Sequence, residues 1–315
     1  MPSTEPKPPL IIILGPTAVG KTETSLQLAE RLKGEIISAD SRLLYRGMDI
    51  GTAKPSLDEC QRVPHYLIDV ADPDQVWSLA MFLRAVSKTA ADIHARGRLP
   101  LMVGGTGQYV RAVVEGWQIP EVRPDPRLRT ALENWAEEIG SEALYQRLEN
   151  IDLEAASRIE PQNLRRIVRA LEVILTTGQL FSTQRESGSS PYEVLMLGLT
   201  RPRQELYERI DARIQKMFDK GLVEETQKLL DQGYSPDLPP LSAIGYRQVI
   251  QFLNGEISMD EVVTQMKRIT RRFVRHQANW FKEDDPDIQW FRAGPGAIDE
   301  MEAVIGRFLH NNYDK

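Results

Sequence analysis

A single cysteine, Cys60, and four scattered histidines (His65, His94, His276 and His310) are all that this 315-residue chain offers in thiol and imidazole chemistry. One thiol cannot close an internal disulfide, and no Cys/His spacing of a metal site occurs, so a disulfide scaffold and a zinc module are both excluded. A reducing, cytoplasmic setting is expected. Long apolar runs are missing too: the longest early one, Leu10 to Leu14, is far too short for a signal core or a membrane span, so no membrane association is expected. Nor is there an excess of positive charge. With 39 Lys and Arg against 45 Asp and Glu, the formal net charge is -6, which leaves only local basic patches to meet a nucleic acid.

What is there is an ordinary globular balance, 41% apolar and 27% charged, over a length that suits one nucleus carrying an insertion. Residues 1–9, with four prolines, read as a disordered head. Leu10 to Leu14 is apolar at every position and meets a Gly-Pro turn at once, the signature of a buried parallel strand. Glu35 to Ser38, His65 to Asp69 and Leu99 to Val103 read as further strands, with a helix expected from Ser78 to Arg96. This alternation predicts an α/β fold, a P-loop doubly wound parallel sheet. From about Pro120, through Pro124-Asp125-Pro126, to about Thr177 the spacing is helical throughout. An inserted all-helical subdomain is therefore expected over 120–192, with the core formed by 10–119 and 193–315. Glu193 to Leu199 reads as the return to the sheet, and Arg203 to Asp231 and Met259 to Lys282 as long helices.

Gly15-Pro16-Thr17-Ala18-Val19-Gly20-Lys21-Thr22 has the spacing G-x-x-x-x-G-K-[ST] between an apolar strand and a helix, the context a phosphate-binding loop requires. Its backbone amides and the helix N-terminus cradle phosphate oxygens, Lys21 adds a point charge, and the Thr22 hydroxyl is a magnesium ligand. A hydrolytic motor also carries an acid at the end of an apolar strand. Here the best late strand runs into Gly104-Gly105-Thr106 instead; Asp69 is the one substitute, and a kinase or a transferase fits better. Asp40 follows the second strand, which is expected beside the first, and so faces the loop across the cleft. A carboxylate there suits a general base, and equally a helix N-cap or an indirect magnesium partner.

Together these residues resemble one family closely, the tRNA dimethylallyltransferases, also called tRNA isopentenyltransferases. The stretches that carry the resemblance are Gly15 to Thr22, Ile37 to Ser41, Tyr45 to Pro55, Pro64-His65, Val103 to Gly107 and Ala243 to Gln248; Met48-Asp-Ile-Gly-Thr-Ala-Lys-Pro55 is the most specific. The resemblance implies transfer of dimethylallyl from its diphosphate to the exocyclic amine of the adenosine 3′-adjacent to the anticodon in tRNA. It further implies that Gly15, Pro16, Thr17, Ala18, Val19, Gly20, Lys21 and Thr22 hold the donor's pyrophosphate with Mg2+. Thr17, Lys21 and Arg213 would serve the leaving group, and Asp40 would be the general base. Asp40, Ser41, Arg42 and Leu43, then Thr106, Arg129, Gln162, Asn163, Leu164, Arg165 and Arg166 match the family's tRNA-contacting positions. The partners implied are the tRNA anticodon stem-loop and dimethylallyl diphosphate, with the enzyme a monomer. The chain departs from the pattern at Gln108, where the family usually has an apolar residue, and near His276, where it usually has a basic one.

Blander roles remain beside these. Arg213 sits among Arg209, Asp211 and Lys216, so an intrahelical ion pair accounts for it equally. Lys267, Arg268, Arg271, Arg272 and Arg275 form a strip that suits phosphates or merely a solvated face. Arg169 has Glu172 and Glu160 within reach, and His65 reads as a hydrogen-bonded structural group. A small-molecule kinase, prenylation of free adenine nucleotides and a nucleotide-dependent RNA switch are the competing functions.

Overall fold

The structure is a computed structural model that describes residues 6–119, 125–185 and 188–313. Its first strand, β1 (Pro9–Leu14), is apolar along its length because both faces are covered, and Leu10 to Leu14 are fully buried. Most of the expected head (1–5) and the expected start of the insertion (120–124) lie outside the described residues; Pro9 already belongs to β1.

After β1 come α1 (Lys21–Leu32), β2 (Gly34–Ser38), α2 (Leu57–Arg62), the short β3 (His65–Tyr66), α3 (Leu79–Ala95), β4 (Leu99–Gly104) and α4 (Gly107–Val114). Four helices follow: α5 (Pro126–Ile139), α6 (Ser141–Ile151), α7 (Leu153–Ser157) and α8 (Leu164–Thr177). The chain then forms β5 (Glu193–Thr200), α9 (Arg203–Asp219), α10 (Leu222–Asp231), α11 (Tyr246–Leu253), α12 (Met259–Ala278), β6 (Ile288–Arg292) and α13 (Pro295–Tyr313). No described helix is long and apolar enough to cross a membrane.

All strand pairs are parallel and the sheet order is β3-β2-β4-β1-β5-β6. The expectation that the second strand lies beside the first is therefore corrected: β4 runs between them. Close approach makes this possible. A Cβ on Gly104 would stand 2.3 Å from the Ala39 carbonyl oxygen, so only glycine lets the end of β4 meet the end of β2. Asp40 then leaves β2 one strand further from β1, but at the same carboxyl edge of the sheet, where open α/β sheets bind ligands.

The helix expected over Arg203 to Asp231 is two helices. Gly221, at φ +95°, breaks it between α9 and α10. α12 ends at Ala278, four residues before the expected limit.

Contacts divide the chain into two units, one of Met1–Ser78, Phe82–Val114 and Pro191–Lys315, the other of Leu79–Met81 and Glu115–Ser190. The second unit holds α5 to α8 around Leu132, Leu144, Leu148, Ile167 and Leu171. A fully buried carboxylate there, Glu172 on α8, accepts from Arg129 (2.8 Å), Arg169 (2.7 Å) and the Asp125 amide (3.0 Å). Burial alone would raise its pKa; the two guanidinium bonds and the Asp125 amide outweigh that and hold it below the usual range.

Candidate active site

The loop between β1 and α1 is held by cations that the sequence motifs do not name. Arg201, just past β5, donates to the Val19 carbonyl at 2.8 Å, and Arg209 on α9 donates to the Ala18 carbonyl at 2.7 Å. Ala18 needs such support, because it sits at φ 67°, a left-handed conformation that disfavours a residue with a Cβ. The buried Gln277 of α12 joins two turns. Its Oε1 accepts from the Thr17 amide (2.8 Å) and hydroxyl (3.1 Å), while its Nε2 donates to the Gly105 carbonyl (3.2 Å).

Lys21 folds along this loop, its Nζ donating to the Gly15 carbonyl at 2.9 Å and to the Pro16 carbonyl at 3.0 Å. Burial lowers its pKa to about 8; the Asp40 carboxylate works against that fall and the Arg213 guanidinium adds to it. Arg213 is lowered by the same desolvation and supported by the same Asp40 charge. Lys21, Arg213 and Asp40 thus form one electrostatic cluster at the carboxyl edge of the sheet. The bland alternative for Arg213 fails on geometry, since Asp211 is taken by Arg271 (2.8 Å) and Lys267 (3.5 Å) of α12, whereas Arg213 donates to the Thr52 carbonyl at 3.1 Å.

Asp40 caps no helix, because the next helix begins only at Leu57. Its Oδ1 accepts from the Arg42 amide at 2.9 Å in a tight turn that also orients Ser41, whose amide donates to the Thr106 hydroxyl at 3.1 Å. Thr106 closes the turn further by donating its own amide to the Ala39 carbonyl at 3.2 Å. Arg42 reaches the Pro239 carbonyl at 3.0 Å, and Leu43 is half-buried. Thr22, at the first turn of α1, is exposed and presents an oxygen donor.

The Met48 to Pro55 segment is a loop stapled by Lys54, whose buried ammonium donates to the Tyr45 carbonyl (3.0 Å), to Asp69 (2.5 Å) and to Asp49. Asp69, the acid considered for magnesium, is thereby occupied. His65 is the structural group expected of it, with Nδ1 2.8 Å from the Val63 carbonyl.

Of the basic strip on α12, Lys267 and Arg271 are spent on Asp211, while Arg268, Arg272 and Arg275 are exposed, with Arg272 3.4 Å from the His276 ring. Gln108 is exposed on α4. The second unit carries Arg129, bound to Glu172, and the stretch Gln162 to Arg166. There Asn163 accepts from the Arg166 amide at 3.3 Å to cap α8, leaving Gln162, Arg165 and Arg166 exposed and Leu164 half-buried against the unit's core. In the first unit, a cavity of about 470 Å³ adjoins Gly15, Pro16 and Gln277, with Leu206, Phe281 and Trp290 as apolar walls.

The chain is similar to known proteins along most of its length. The sequence model of the family described as IPP transferase matches residues 43–284. A tRNA dimethylallyltransferase of Thermomicrobium roseum is 47% identical over 308 residues, 98% of this chain and 93% of the relative. One from Roseiflexus sp. (strain RS-1) is 49% identical over 299 residues, 95% and 98% of the respective chains. Among solved structures, the tRNA isopentenylpyrophosphate transferase of Bacillus halodurans matches with a TM-score of 0.73 at 41% identity, covering 98% of this chain and 99% of its own. A eukaryotic dimethylallyltransferase acting on tRNA matches with a TM-score of 0.82 at 25% identity, covering 97% and 80%.

Proposed function

The chain belongs to the tRNA dimethylallyltransferase family, and from that premise we propose that it transfers a dimethylallyl group from dimethylallyl diphosphate to the exocyclic amine of the adenosine 3′-adjacent to the anticodon in tRNA, releasing pyrophosphate. The observation that carries the reading is a phosphate loop bearing Lys21, with Asp40 at the same carboxyl edge of the sheet and Arg213 anchored on the Thr52 carbonyl, the three coupled by charge. The reaction needs that combination. The allylic C–O bond breaks as negative charge gathers on the diphosphate, and preorganised cations stabilise that charge, each commonly contributing on the order of 10²–10³ in rate. The new C–N bond forms from an amine whose lone pair is delocalised into the purine ring, so removal of its proton by Asp40 during attack assists it.

In this reading the loop Gly15 to Thr22 binds the diphosphate through those of its amides not already bonded within the protein, the Thr17 hydroxyl joins them by turning from Gln277, and Arg201 and Arg209 keep the loop in shape. Thr22 would hold magnesium, which when bound neutralises further phosphate charge; an exposed hydroxyl at the start of α1 suits that hard cation. Asp40 to Leu43, Thr106, Arg129 and Gln162 to Arg166 contact the anticodon stem-loop, whose adenosine leaves its stack more readily than a base in a duplex. The enzyme acts as a cytoplasmic monomer, a setting consistent with its lone, half-buried Cys60.

The test supplies the protein with magnesium, isotope-labelled dimethylallyl diphosphate and an unmodified anticodon stem-loop, without ATP. Label should become covalently attached to adenosine, with one pyrophosphate released per transfer. Label that stays off the RNA, a strict requirement for ATP, or preference for AMP as acceptor would each overturn the reading.

A further inference from the structure

We propose that Glu225 is a positioning residue for Arg213, acting through the loop Met48 to Lys54; the inference rests on the reading of Arg213 as a diphosphate ligand. Glu225 lies on α10 and belongs to none of the stretches that carry the family resemblance. Its carboxylate nevertheless joins two of them. It accepts from the successive amides of Asp49 (3.0 Å), Ile50 (2.8 and 3.0 Å) and Gly51 (3.1 Å), and from the Tyr246 hydroxyl at 2.6 Å. Consecutive amides converging on one anion form a nest, and bonds to an ionised acceptor are among the strong ones.

The loop is pressed onto the same partner. A Cβ on Gly51 would stand 2.5 Å from the ring of Tyr246, which is fully buried, so the backbone at Gly51 lies against that ring. One residue later the loop turns its carbonyl to the site: Thr52, tied internally by its hydroxyl to the Met48 carbonyl at 2.6 Å, accepts from Arg213 Nη2 at 3.1 Å. Arg213 is a long side chain with several rotamers, and it is anchored on this carbonyl. A guanidinium with one nitrogen fixed presents its remaining donors in a planar fork of set direction, the geometry that phosphate oxygens accept. Glu225 therefore sets where Thr52 stands, and Thr52 sets where Arg213 points.

The experiment measures the affinity of magnesium pyrophosphate by calorimetry, together with kcat and the KM for an anticodon stem-loop. It compares the wild type, Glu225→Gln, Arg213→Lys and the double variant. Glu225→Gln is expected to weaken pyrophosphate binding and lower kcat by about tenfold, leaving the stem-loop KM within about twofold. The double variant should be no worse than Arg213→Lys alone, because the carboxylate acts only through that side chain. Unchanged pyrophosphate affinity in Glu225→Gln, or losses that multiply in the double variant, overturn the proposal. If Glu225→Gln does not fold, the same cycle is run with Tyr246→Phe, which removes one bond to the carboxylate; a smaller loss with the same non-additivity supports the proposal and a multiplying or absent loss overturns it. A wild type that binds no pyrophosphate sinks the diphosphate reading itself, a result distinct from wild-type binding matched by Glu225→Gln.

Discussion

Lys21 exchanges water for the carbonyls of its own loop, and burial brings its pKa to about 8, within reach of ordinary buffers. Below that pH the ammonium is charged and attracts a diphosphate; above it the charge is lost unless an anion restores it. The difference in pyrophosphate affinity between wild type and Lys21→Met should therefore be constant below about pH 8 and shrink as pH rises through it, read by calorimetric titration. Stability runs the opposite way. The native pKa lies below the unfolded one, so the buried charge costs stability below about pH 8 and that cost is relieved between there and 10.5. Asp40 raises the Lys21 pKa, so Asp40→Ala should move the break in pyrophosphate affinity to lower pH. The same variant should lose on the order of 10²–10⁴ in kcat for transfer while keeping its affinity for tRNA, measured by single-turnover labelling and filter binding. Lys21 is legible in the sequence because the phosphate-loop motif contains it, and Asp40 because it follows a strand end. Arg201, Arg209 and Gln277 are not, because they meet the loop across separations of 182, 191 and 260 residues, and no local pattern encodes such a contact.

The kind of each element is more legible in the sequence than its place in the sheet. A strand buried on both faces declares itself by five consecutive apolar residues, but the place of β4 between β1 and β2 depends on Gly104 admitting the Ala39 carbonyl, a fit that exists only in three dimensions. The split between α9 and α10 was in principle visible at Gly221, whose left-handed φ ends a helix that periodicity alone would continue. Within the helical unit, Glu172 binds α8 to the start of α5 through Arg129 and Asp125. Because both arginines are about one-third exposed and can turn to water, Glu172→Gln should cost only about 1–3 kcal/mol in thermal or urea unfolding. The native pKa is depressed, so this contribution is present above the ordinary glutamate range and lost as pH falls through the lower native value. The gap between wild type and Glu172→Gln should accordingly close as pH falls below the ordinary glutamate range, and a gap independent of acid would contradict the ion-pair account.

Over the whole chain the charge is -6, yet the proposed substrate is a polyanion, so attraction must come from cations that the protein leaves unpaired with its own acids. Composition pointed to such local patches but not to their members. Spacing on α12 suggested five cations, and the fold withdraws Lys267 and Arg271 by setting Asp211 against them, leaving Arg268, Arg272 and Arg275 exposed. Counterion release then gives the patch a measurable size. Each phosphate neutralised contributes about 0.7–0.9 to the slope of log affinity against log salt, so replacing the three exposed arginines by glutamine should reduce the slope for an anticodon stem-loop by about 2–3. Pyrophosphate affinity at fixed salt should change by no more than about twofold, because Lys21 and Arg213 carry that ligand and, of the three, only Arg275 lines the cavity beside Gly15 and Pro16. A slope that stays at the wild-type value would assign the three arginines to solvent and move the RNA contact elsewhere on the molecule, whereas a parallel fall in pyrophosphate affinity would mean that the substitutions disturb α12 and, through Gln277, the phosphate loop itself.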